Sequence, residues 1–79
     1  MTTESSELDP LEVFKPLTRR ELLVATALAN GHSNRAIATE LGCSIKTIDT
    51  HRGHVMKKLN VANNVLLARL AIKTGLVKL

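Results

Sequence analysis

The sequence predicts an all-α domain of four helices, and three observations carry that prediction. Apolar residues make up 44% of the 79 positions, yet Phe14 is the only aromatic, so any core must be built from Leu, Val, Ile and Ala. Those side chains, with Ala and Leu prominent, favour helix. From Leu17 onward, capping residues and glycines recur at intervals that suit helices, and the apolar positions between them follow a period of 3.6 rather than 2. The chain is long enough for one domain with a modest core and too short for two.

Residues 1 to 16 are polar and acidic and carry both prolines, so they read as a flexible acidic tail or linker. The short Leu11-Glu12-Val13-Phe14 run has the composition to dock on the body. Residues 17 to 79 are then the domain. Thr18 and Glu21 form a capping box, with Leu17 and Leu22 placed as a hydrophobic staple, and this starts the first helix. Asn30-Gly31 ends it. Ser33 caps a short second helix, Asn34 to Leu41, which Gly42 terminates. Ser44 caps a third, from Ile45 to about Leu59. Asn60 to Asn63 form a turn, and Asn63 caps a fourth helix that ends at Gly75.

Only Gly42-Cys43-Ser44 separates the second and third helices. A connection of that length and composition is the turn of a helix-turn-helix unit. In the third helix Ile48, Val55 and Leu59 fall on one stripe, expected to be buried. Lys46, Asp49, Thr50, Gly53 and Lys57 fall on the opposite, outward stripe.

Charge follows the same division. Four of the seven acidic residues lie in the first sixteen positions, so residues 17 to 79 hold ten Lys and Arg against three acids, a net +7. A basic body suits a polyanion, and a merely solvated basic surface is the plainer alternative. The major groove of B-DNA accepts one helix, entered by N-terminal residues. Ser44, Lys46 and Thr47 at the start of the third helix, with Arg52, Lys57 and Lys58 along it, are the candidates for phosphate binding. Asp49, Thr50 and Gly53 are the candidates for reading bases. Asp49 among phosphates is repelled unless it accepts a hydrogen bond, as from cytosine N4. The alternative is that it serves the helix dipole or pairs with Lys46 or Arg52. Gly53 within a helix costs roughly 1 kcal/mol relative to Ala, and close approach to the groove is a reason to keep it.

Chemistry of other kinds finds little support. His51 and His54 lie at i, i+3, but no carboxylate or cysteine stands at ligand spacing in the sequence, so no metal site is expected. No nucleophile triad, phosphate loop or carboxylate pair can be assembled, which argues against an enzyme, a cofactor or a small-molecule ligand. The single Cys43 forms no internal disulfide, and no apolar run is long enough for a membrane. A reducing cytoplasm is the expected setting.

The fourth helix is unusually apolar: Val65, Leu66, Leu67, Ala68, Leu70, Ala71 and Ile72 fill seven of twelve positions from Asn63 to Thr74. Leu67, Ala68, Ala71, Ile72 and Val65 are assigned to a broad core-facing side, and Leu66 and Leu70 to a second, narrower one. A second apolar face calls for a partner, so Leu66 and Leu70, rimmed by Val65 or Lys73, are expected to meet their mates in a homodimer.

The run from Leu17 to Leu76 resembles the LuxR-type (GerE- or NarL-type) helix-turn-helix domain of bacterial regulators. The resemblance rests on Leu17-Thr18 with Glu21, Asn30-Gly31, Ser33-Asn34, Ile37-Ala38, Leu41, Ser44, Lys46-Thr47-Ile48, His51-Arg52, Lys58-Leu59-Asn60-Val61, Ala71 and Gly75-Leu76. It implies a four-helix bundle that binds double-stranded DNA as a sequence-specific transcription regulator and dimerises, often through its last helix. It also implies base contacts at Asp49, Thr50 and Gly53, where the residue types depart from the basic or amide residues usual in the family. Leu22 and Leu23 depart too, since polar residues are usual in that part of the first helix, and so does Ala62, where Ser or Thr is usual. Leu23 is expected to be exposed. The competing reading is a protein-contact module, either an antagonist of a larger regulator or a unit docking on RNA polymerase. The sequence is compatible with a single-domain regulator and with an effector domain cut from a longer one.

Overall fold

A computed structural model describes residues 9 to 78, and within them the chain forms five helices and no strand. They are α1 (Pro10–Val13), α2 (Arg19–Ala29), α3 (Asn34–Leu41), α4 (Ile45–Leu59) and α5 (Asn64–Thr74). The last four are the helices predicted from the capping pattern. Each begins at a side chain that satisfies an otherwise unpaired N–H group. The Thr18 hydroxyl accepts from Glu21 N at 3.1 Å while the Glu21 carboxylate accepts from Thr18 N at 2.9 Å, closing the capping box. Ser33 accepts from Ala36 N, Ser44 from Thr47 N and Asn63 from Leu66 N.

The ends follow the same local logic. Gly42 ends α3 with φ 70°, and Asn60 ends α4 with φ 56°, the one positive φ outside glycine among the described residues. That conformation turns the next N–H back onto the helix: Cys43 N donates to the Ala38 carbonyl and Val61 N to the Met56 carbonyl, each at 3.0 Å. Asparagine tolerates it better than other non-glycine residues.

The core is Val24, Ala25 and Leu28 of α2, Ile37 and Ala38 of α3, Ile48 and Val55 of α4, and Leu67 of α5. Leu17, Leu41, Leu59 and Val61 pack around it, partly buried. α2 lies at the centre and touches both α4 and α5, while α3 packs on α4. The two halves of the helix-turn-helix unit, α3 and α4, are therefore fixed to each other by their own contact and to the body through α2.

Two expectations require correction. The flexible tail does not extend to residue 16: Asp9 caps α1 by accepting from Leu11 N, and Phe14 is buried at 5% exposure, with α1 against α5. Phe14 sits among Pro10, Leu11, Leu17, Leu22 and Leu76, so burial of the chain's one aromatic ring holds this segment. The rest of the expected tail, residues 1 to 8, lies outside the described residues. In α5 the buried side is Leu67, Ala71 and Thr74, at i, i+4 and i+7. Val65 and Ile72, assigned to the core side from sequence, are 67% and 37% exposed. They stand about 160° and 140° around the helix from Leu67.

Candidate nucleic-acid interface

α4 presents two long sides. Ile48 and Val55 are fully buried and Leu59 partly so, as the stripe of apolar positions requires. Lys46, Asp49, Thr50, Gly53 and Lys57 are all exposed on the opposite side. The sequence placed these five on one face, and the structure keeps that face clear of the other described residues.

At the start of α4 the polar groups are already interlocked. Ser44 Oγ and Thr47 Oγ1 lie 2.9 Å apart, and Ser44 Oγ also accepts from Thr47 N at 3.0 Å. One hydroxyl hydrogen is used between the two side chains, leaving the other to donate outward. Thr50 donates its hydroxyl to the Lys46 carbonyl at 3.1 Å, so what it turns outward is a methyl group and oxygen lone pairs. Asp49 is exposed and has no ion-pair or hydrogen-bond partner among the described residues, so neither Lys46 nor Arg52 neutralises it. Nothing lies within 4 Å of a methyl group built on Gly53. The domain's own packing therefore gives no reason for glycine there.

The flanks of α4 differ. On one, Arg52 donates through Nε to Asn64 Oδ1 at 2.9 Å, tying α4 to the first residue of α5 while its terminal amino groups remain for other partners. On the other, Glu21 of α2 is buried at 4% exposure and gathers two residues of α4. Lys58 Nζ lies 2.7 Å from Glu21 Oε1, and His54 Nδ1 lies 3.4 Å from Oε2. The hydrogen bond from Lys58, then that from Thr18 N, hold the Glu21 carboxyl down at about 2, against 4.5 ordinarily. Lys58, expected from sequence at a phosphate, is paired here with Glu21 across 37 residues of sequence.

The family model for bacterial regulatory proteins of the luxR family matches residues 15–71 of this sequence. The chain belongs to that family. Its members are DNA-binding regulators of transcription and not enzymes. The luxR-family domain is 54% identical over 54 residues to the transcriptional regulatory protein UhpA of Escherichia coli K12, covering 68% of this chain and 28% of that protein. It is 39% identical over 74 residues to the oxygen regulatory protein NreC of Staphylococcus epidermidis, covering 94% of this chain and 33% of NreC. A transcriptional regulatory protein of Bacillus subtilis, YhcZ, is 42% identical over 77 residues, covering 96% of this chain and 36% of its own length. The chain thus spans about a third of the length of these relatives.

Within the luxR-family domain, sequence reasoning missed Asn64 as the partner of Arg52 and Glu21 as the hub of the second flank. Glu21 was read only as a capping residue. A buried carboxylate opposite three basic side chains has no signature at that separation, so no pattern could have found it. No helix among the described residues is long and apolar enough to cross a membrane.

Proposed function

We propose that the domain binds double-stranded DNA by laying α4 in the major groove, with Asp49, Thr50 and Gly53 against base edges. Lys46, Lys57, the free amino groups of Arg52 and the Ser44–Thr47 end of the helix hold phosphates. The observation that carries this reading is the outward face of α4: five exposed residues, none needed by the core, bordered by positive charge. Asp49 supports a selective role because it is a carboxylate left unneutralised on a basic face. It accepts from cytosine N4 and repels an acceptor in that place. Thr50 offers its methyl group to thymine.

The protein acts as a homodimer through α5. Val65, Leu66 and Ile72 are exposed, and Leu66 and Leu70 line an open groove with Val61, Ile72, Arg69 and Lys73. An apolar strip of this kind on a basic domain suits a second copy, with Arg69 and Lys73 at the rim. Regulation of transcription then follows from where paired half-sites lie.

Binding to random duplex DNA across a salt series tests the first part. The expected result is a steep fall of log K with log salt. Weak binding at every salt concentration would favour a protein-contact module, such as an antagonist or a unit docking on RNA polymerase. Selection from a random DNA pool tests the base-reading assignment, and an unchanged selected site for Asp49→Ala would remove Asp49 from the reading surface.

A further inference from the structure

We propose that Glu21, His51 and His54 form a binding site for a divalent ion of the zinc class, bridging α2 and α4. One ligand atom from each of the three lies within 4.8 Å of the others. Tetrahedral coordination at zinc bond lengths sets ligand atoms roughly 3.3 Å apart. The Glu21–His54 pair already stands at 3.4 Å, and His51 completes the set within the 4.8 Å limit.

The two oxygens of Glu21 are used differently. Oε1 accepts from both Thr18 N and Lys58 Nζ, whereas Oε2 accepts no hydrogen bond among the described residues and lies 3.4 Å from His54 Nδ1. One carboxylate oxygen is therefore left over, directed at an imidazole. His51 contributes the second observation, because its Nδ1 is buried and has no hydrogen-bond partner. A buried polar atom without a partner is costly, and a ring with unused capacity beside a carboxylate has the makings of a ligand. His54 is exposed, which gives an ion its path from solvent and leaves a fourth position for water. Two imidazoles and one carboxylate select zinc, nickel or copper over magnesium, which prefers oxygen ligands throughout. Lys58 keeps its hold on Oε1, so affinity must come chiefly from the imidazoles.

The test is a titration of the isotope-labelled full chain with Zn²⁺, followed by amide and histidine resonances, with Mg²⁺ in parallel. The expected result is saturable binding of one zinc per chain, with shifts at the start of α2 and the middle of α4, and no response to Mg²⁺. His54→Gln, at an exposed position, should keep the fold and weaken zinc binding by at least about tenfold. Exposed His32 and Cys43 are the competing ligands, so His32→Gln and Cys43→Ser should leave binding intact. At zinc concentrations about a hundred times the parent's Kd, Tm should rise by about 10–20 °C in the parent and by about half of that or less in His54→Gln. Unsaturable binding, equal affinity in His54→Gln, or loss of binding in Cys43→Ser would each overturn the proposal.

Discussion

α4 and α5 are built alike and leave different surfaces in water. Each begins at an oxygen-bearing cap, ends at a left-handed residue and buries one stripe on α2. Opposite that stripe α4 exposes Lys46, Asp49, Thr50 and Lys57, whereas α5 exposes Val65, Leu66 and Ile72. The core needs only the buried stripe, so the other side of each helix is free to serve a partner, and its composition indicates which kind. A polar, positively bordered face answers a polyanion. An apolar face answers another apolar face.

The comparison breaks most sharply if the two faces can be exchanged in effect. Lys46→Glu combined with Lys57→Glu should cut DNA affinity by about a hundredfold or more at moderate salt, reduce the salt slope by about two, and leave the sedimentation coefficient unchanged. Leu66→Glu combined with Leu70→Glu should do the reverse: a folded monomer by sedimentation and circular dichroism, with weak binding to single half-sites retained. A drop in the helical signal of the first variant, or a dimer in the second, would show that the faces are not separable.

The α2-facing flank of α4 supplies a third test, made in chelator so that no metal ion contributes. Glu21 has its carboxyl lowered from 4.5 to about 2 in the fold, so its stabilisation is fully present above about pH 5 and is lost as pH falls through that window. The shift corresponds to about 3 kcal/mol. Glu21→Gln should lower stability at neutral pH by an amount of that order and flatten the acid limb of a denaturation series. A parallel acid limb in the variant would assign the loss to other groups.

The smallest effect separates packing from recognition. Gly53→Ala meets nothing within 4 Å, so it should raise stability by about 1 kcal/mol. If the glycine serves close approach to the groove, the same variant binds DNA less tightly while melting higher. Equal affinity would mean that Gly53 is not at the contact.

The helix boundaries were legible because their causes are local: a cap and the N–H it satisfies stand three residues apart, as at Ser44 and Thr47. The outward face of α4 was legible for the same reason, since periodicity needs no knowledge of the partner. α1 was not, because four residues carry no period and its order depends on burying Phe14 against distant residues. The Glu21 cluster was not either. His51, His54 and Lys58 are 30 to 37 positions away, and only the packing of α2 on α4 brings them to the carboxylate. Val65 and Ile72 were misplaced because an apolar helix does not announce which side its neighbours will cover.

Phe14 has one more consequence, an optical one. With no tryptophan or tyrosine in the chain, the domain absorbs almost nothing at the usual protein wavelength and has no indole fluorescence. A single tryptophan placed anywhere is therefore a reporter without background. Put at position 14 as Phe14→Trp, its emission would follow the seating of α1 against α5, a movement that helical circular dichroism, dominated by the four longer helices, would scarcely register.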